Sequence, residues 1–225
     1  MIPDIKFIPS PNHSSRGDAE VRMVVLHYTA DGGGAVSWFQ NPAARASSHF
    51  VVTRNGGVVQ MVDLERSAWH AGQPGRRAVD IKPNRSSVGI EIVNWGLLSH
   101  GRGGFRTYTG ALVPPDEVVK SAGRYWQRYA EAQLAAVVDL VGWLCDSLGI
   151  PQRFMFEGQP GFMRDGVLYD EVPYYLPAGR VGTNSRLAAW RFKDNAGICG
   201  HCHIAAGKDD PGPHLPWERI VCREK

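Results

Sequence analysis

The chain has 225 residues, 43% hydrophobic and 21% charged, with a formal net charge of +3 at pH 7. A charge this small lacks the dense Lys/Arg clustering of a nucleic-acid binder, and no apolar run reaches the length of a membrane span, so neither partner is expected. Four cysteines (Cys145, Cys199, Cys202, Cys222) are too few and too unevenly placed for a disulfide scaffold, which leaves a single globular domain as the expected product.

Residues 1–20 are polar and rich in Pro and Ser, and they read as an arm leading into a domain over residues 21–225. Their lack of an apolar h-region predicts synthesis in the cytoplasm without a signal peptide. Residues 21–28 (VRMVVLHY) form a β-branched apolar run, the pattern of a buried strand, with His27 near its end. Asp31 and three glycines break the chain, and Ala35–Gln40 is a short helix candidate. Residues 48–53 and 58–62 flank an Asn-Gly pair, a strong hairpin signal. Residues 87–93 (SVGIEIV) predict another buried strand, interrupted by Glu91. Residues 97–117 read as a long Gly/Pro loop with at most a small hairpin near 105–112. Glu131–Leu148 places Leu134, Val137, Val138, Val141, Leu144 and Leu148 at helical spacing, and Gly149 and Pro151 end it. Residues 151–196 mix Gly, Pro and aromatics without a period. They predict an elaborated insertion, with a short helix near 186–192, that walls a cleft or extends the core. The expected fold class is α/β: one domain with a central, mostly mixed sheet flanked by helices.

Histidines become informative where they converge with acids. His27 ends a strand, and Gly200-His201-Cys202-His203 followed by Asp210-Pro211-Gly212-Pro213 puts an imidazole and a carboxylate on one segment. Two imidazoles and a carboxylate leave the fourth tetrahedral position of Zn²⁺ open, as a catalytic site requires. A Glu inside an apolar strand needs a task or a partner. Alternation puts Glu91 on the face opposite Ile90 and Ile92, where it is either paired to a structural Arg or, beside zinc, a general base. Cys199-Gly-His-Cys202-His203 also matches C-x-x-C-H, the attachment run of c-type haem; a redox pair or second zinc at Cys199 and Cys202 is a further reading, and inert thiols near the site are the favoured one.

Five stretches in order, VVLHYTA (24–30), SSHFVVTRNGGVVQMV (47–62), AWHAG (68–72), SSVGIEIVNWG (86–96) and GHCHIAAGKDDPGP (200–213), resemble the zinc-type N-acetylmuramoyl-L-alanine amidases, whose fold is that of the peptidoglycan recognition proteins. The resemblance covers roughly residues 20–95 and 125–220. It implies hydrolysis of the amide between N-acetylmuramic acid and L-alanine in peptidoglycan or muropeptides. It implies one Zn²⁺ per chain held by His27, His201 and Asp210, Glu91 as acid/base and Lys208 on the oxyanion. His49, Trp69, His70 and Asn94 are expected to bind substrate, and the chain to act as a monomer, on recycled muropeptides in the cytoplasm or on the wall after delivery. The chain departs from the family pattern at Ser48, where phage relatives carry a catalytic Tyr, at Gly207, where an Arg usually precedes the Lys, and at Cys202 and His203. A muropeptide-binding module without catalysis is the alternative that shares this fold.

Overall fold

A strand apolar at every position needs cover on both faces, and residues 23–28 meet that description. In a computed structural model of the chain, which describes residues 4–72, 81–156, 163–164, 167–168, 192–205 and 207–221, they form the interior of a six-stranded sheet. Its strands are β1 (Ile5–Phe7), β3 (Met23–Tyr28), β4 (Phe50–Val52), β5 (Val58–Gln60), β7 (Ser87–Ile92) and β15 (Gly197–Gly200), in the order β1-β5-β4-β7-β3-β15. β3 runs parallel to both neighbours, and β7 parallel to β4; β4 and β5 form the antiparallel hairpin that the Asn-Gly pair predicts. The sheet is mixed, as expected.

The 18-residue helix α2 (Glu131–Leu148) covers one face of this sheet. Its Leu134, Val137, Leu140, Val141 and Leu144 are buried in one cluster with Leu26, Phe50, Val52, Ile90 and Ile92. Each such side chain contributes roughly 1.5–3 kcal/mol of burial, which outweighs intrinsic helix propensity. Buried Gln133 ties the helix to the sheet by donating from Nε2 to the Val93 carbonyl at 2.9 Å. Gly149 ends it in the left-handed region at φ +66°, with its N–H on the Cys145 carbonyl. On the opposite face, the short helix α1 (Ala35–Gln40) packs Phe39 into a second cluster with Val51, Met61 and Val62.

Two expectations need correction. Residues 4–20 are part of the domain rather than an arm. β1 joins the sheet edge, and β2 (His13–Ser15) pairs with β6 (Arg66–Ala68). Their polar side chains are satisfied by backbone carbonyls: Asn12 Nδ2 reaches Asn41 O (2.9 Å), and Arg16 reaches Leu64 O (2.7 Å) and Arg85 O (2.6 Å). The region from residue 97 is not a long loop but most of a five-stranded antiparallel sheet. It comprises β8 (Leu97–Gly101), β9 (Gly104–Arg106), β10 (Leu112–Val113), β11 (Val118–Ser121) and β12 (Arg124–Gln127), in the order β10-β9-β8-β12-β11. The glycines that suggested a loop are its hairpin turns, with Gly104 at φ +94° and Gly110 at +89°.

Most of the insertion lies outside the described residues, including 186–191 of the expected helix. Its beginning runs beside β15, where Met155 N–H bonds Ile198 O at 2.9 Å, and Phe192 is buried against Phe156 at its end. Between them β13 (Met163–Arg164) and β14 (Val167–Leu168) pair as a short hairpin. Two more helices follow β15: α3 (His201–Ile204) and α4 (Trp217–Val221).

Candidate metal centre

Parallel pairing sets the site. In the β3–β7 register His27 lies opposite Glu91, so both side chains leave the same face at the carboxyl end of the sheet, away from α2. β15 pairs with the other side of β3, Gly200 opposite Leu26, and the chain then turns into α3, which brings His201 next to His27. The loop after α3 returns Asp210 to the same point, held by the Cys202 N–H on the Asp210 carbonyl (2.9 Å) and by the Tyr129 hydroxyl on the Pro211 carbonyl (2.7 Å).

One carboxylate oxygen joins the cluster: Asp210 Oδ2 is 2.9 Å from His27 Nδ1 and 3.0 Å from His201 Nδ1. All three residues are buried, with ligand atoms within 4.8 Å of one another. Tetrahedral Zn²⁺ with bonds of about 2.0–2.1 Å separates its ligand atoms by about 3.3 Å, so these spacings fit such an ion after a small expansion. Burial and the neighbouring His201 lower the His27 pKa to about 4, which leaves its imidazole neutral and free to ligate. Burial alone would raise Asp210, but His201 and His27 outweigh it and hold its carboxyl well below the usual range.

Glu91 stands beside this cluster with Oε2 buried and without a hydrogen-bond partner. Burial first, then the charges of Asp210 and Asp31, push its pKa up to about 8, against an opposing pull from Lys208. No arginine pairs with it among the described residues, so the structural reading of Glu91 does not hold. Lys208 is exposed on the Asp210 loop, close enough for its charge to act on both His27 and Glu91.

The residues expected to bind substrate divide. Trp69 is partly exposed, donates to Ser14 Oγ at 3.2 Å, and lines a cleft of about 570 Å³ with Arg45, Lys82, Asn84 and Arg85. His49 is fully buried: its Nδ1 accepts the Gly89 N–H at 3.0 Å, and its Nε2 lies 3.1 Å from Arg66 O and 2.8 Å from the Arg16 guanidinium. Asn94 is also fully buried, donating to Gln127 O at 3.0 Å and accepting from Gly96 N–H at 2.7 Å. Both are therefore corrected to internal positions, since every polar end is spent on the chain itself. His70 points at the cluster rather than outward, with Nδ1 2.9 Å from His27 Nε2 and Nε2 2.9 Å from Ser87 Oγ. Gly89 makes room for it, because a Cβ there would lie 2.5 Å from His70 Cγ. A glycine inside an apolar strand is the mark of such a close approach, and it was available in SVGIEIV. Cys199, Cys202 and His203 are all core residues, His203 packing against Phe154 and Trp217. A covalent haem would have to displace the core packed around these side chains.

A family model described as N-acetylmuramoyl-L-alanine amidase matches residues 17–213. N-acetylmuramoyl-L-alanine amidase A of Achromobacter lyticus is 38% identical over 65 residues, 28% of this chain and 36% of that protein. The 1,6-anhydro-N-acetylmuramyl-L-alanine amidase AmpD of Haemophilus influenzae is 29% identical over 112 residues, 41% of this chain and 60% of that one. The chain thus covers less than two thirds of either curated relative's length. A crystal structure of a selenomethionine derivative of AmpD superposes over 98% of this chain and 94% of its own, at 19% identity and a TM-score of 0.55, and shares the fold.

Proposed function

We propose, from the premise that this chain belongs to the N-acetylmuramoyl-L-alanine amidase family, that it hydrolyses the amide joining N-acetylmuramic acid to L-alanine in peptidoglycan or muropeptides. The observation that carries the reading is the convergence of His27 and His201 on one oxygen of Asp210, with an unpartnered Glu91 on the adjacent strand.

His27, His201 and Asp210 would hold zinc, whose borderline softness suits two imidazoles and a carboxylate. When bound, zinc supplies a Lewis acid and a water of lowered pKa. Glu91 takes the proton of the attacking water on its free Oε2 and returns it to the departing L-alanine amine. Burial raises its pKa to about 8 without the metal, and the charge of a bound zinc would lower it again, toward the neutral range where a carboxyl serves both transfers. Lys208 faces the negative charge that develops on the carbonyl oxygen, a contribution of up to ~4 kcal/mol for a well-placed donor. His49 braces β7 at Gly89 and Asn94 braces the turn that follows β7, and Trp69 presents an apolar surface to sugar or peptide.

The test is mass spectrometry of products from polymeric sacculi and from soluble 1,6-anhydro-muropeptides, with intact protein, with chelated protein and with Zn²⁺ added back. Release of L-alanine-initiated peptides that stops on chelation and returns with zinc is the expected result. Undiminished release without metal would overturn the metal reading, and binding without cleavage would leave only the muropeptide-binding module.

A further inference from the structure

Ser87, His70 and His27 form a hydrogen-bonded chain on the front of the sheet, and its first link fixes the direction of every proton that follows. Ser87 Oγ lies 2.6 Å from the Pro83 carbonyl. A carbonyl oxygen only accepts, so a contact that short needs the serine hydrogen between the two atoms. The hydroxyl oxygen is then left to accept, and the group facing it is His70 Nε2 at 2.9 Å, which must carry a hydrogen. A neutral imidazole has one N–H, so His70 Nδ1 holds a lone pair. That lone pair faces His27 Nε2 at 2.9 Å, so His27 donates there. Neutral His27 thereby has its lone pair on Nδ1, aimed at Asp210 Oδ2, which also only accepts. Two lone pairs 2.9 Å apart repel unless a cation lies between them, either a metal ion or, in its absence, the second proton of an imidazolium.

We infer that Ser87 and His70 are positioning residues that lock His27 as the Nε2–H tautomer and so preset Nδ1 for a metal ion. Such outer partners orient a ligating imidazole and raise its basicity. The environment is built for one orientation: Ser87 and His27 are at most 1% exposed, His70 is 8% exposed, and the missing Cβ of Gly89 is what lets the His70 ring lie against the strand. Ser87 and His70 touch no expected substrate or reacting atom, so their effect passes through His27. The inference rests on the metal reading given under the proposed function.

The test reads tautomers and zinc affinity separately. Long-range ¹H–¹⁵N NMR of the zinc-loaded protein is expected to show His27 and His70 both protonated on Nε2. Competition with a chromophoric chelator is expected to show zinc affinity falling about 10–100-fold in Ser87→Ala and in His70→Leu. His70→Gln, whose side-chain carbonyl can still accept from His27, is expected to recover part of the loss. A His70 proton on Nδ1, or full zinc affinity in a folded Ser87→Ala, overturns the inference. The wild-type spectrum needs no variant, so a substitution that fails to fold leaves the question decidable. A chain that takes up no zinc defeats the metal reading instead, and the His70 tautomer of the metal-free protein then still decides the relay.

Discussion

Replacing Gly89 by alanine tests how tightly the site is seated on the sheet. Gly89 is not in the left-handed region, so alanine meets no backbone strain there. In an ordinary strand the exchange is favourable by about 0.5–1 kcal/mol. Here the new Cβ would sit 2.5 Å from His70 Cγ, 2.7 Å from Nδ1 and 2.8 Å from Cδ2. Comfortable carbon contacts are about 3.5–4.0 Å, so the ring must retreat by about 1 Å. A retreat that large breaks the 2.9 Å contact with His27 or the one with Ser87. Overpacking costs about 1–3 kcal/mol, and each buried donor or acceptor left unpaired a further ~1–3 kcal/mol. At about 2–4 °C per kcal/mol for a chain this long, Tm should drop by roughly 5–15 °C. Calorimetry on metal-free protein measures this, with Gly101→Ala as control, since a Cβ at Gly101 meets nothing within 4 Å. An unchanged or raised Tm for Gly89→Ala would refute the reasoning.

Asp210→Asn and His201→Ala should each abolish stoichiometric zinc in metal analysis, where the wild-type chain should hold about one ion. Glu91→Gln should retain zinc while turnover falls about 10²–10⁴-fold in a product assay. The same variant has a signature in metal-free protein. Because the folded pKa of Glu91 is raised from 4.5 to about 8, the stability this group contributes is full below pH 4.5 and is lost as pH rises to 8. The Tm advantage of Glu91→Gln should therefore grow between pH 5 and 9, and a constant difference would show that Glu91 ionises freely. Tyr129→Phe removes the 2.7 Å bond to the Pro211 carbonyl, and should lower stability by about 1 kcal/mol and weaken zinc binding measurably in chelator competition.

Continuous apolar runs made β3 and β7 legible, alternation around the Asn-Gly pair made the β4–β5 hairpin legible, and period-3.6 patterning with Gly149 made α2 legible. Strand alternation placed Glu91 on a polar face. Its neighbour on that rung, His27, is fixed by interstrand register, which a single strand's sequence does not encode. The second sheet escaped because its strands are two to five residues long and largely exposed on one side, leaving turns as the louder signal. β1, β2 and Arg16 escaped because backbone carbonyls, invisible in composition, satisfy them. His49 and Asn94 show a different limit: residue type tells that a polar group needs a partner, and only coordinates tell whether the partner is substrate or backbone.

His27 and Asp210 meet across 183 positions of sequence. On the ribosome the first of them waits until the last has emerged and β15 has docked beside β3, so the nascent chain cannot assemble the centre while most of the sheet is being made. An ion held there as proposed would be acquired only once β15 has docked beside β3. Once captured it joins early chain to late chain and closes a loop nearly as long as the domain, where chain entropy makes a cross-link most effective. For a centre that holds metal as proposed, the metal supply where folding finishes would then set how long the domain resists unfolding.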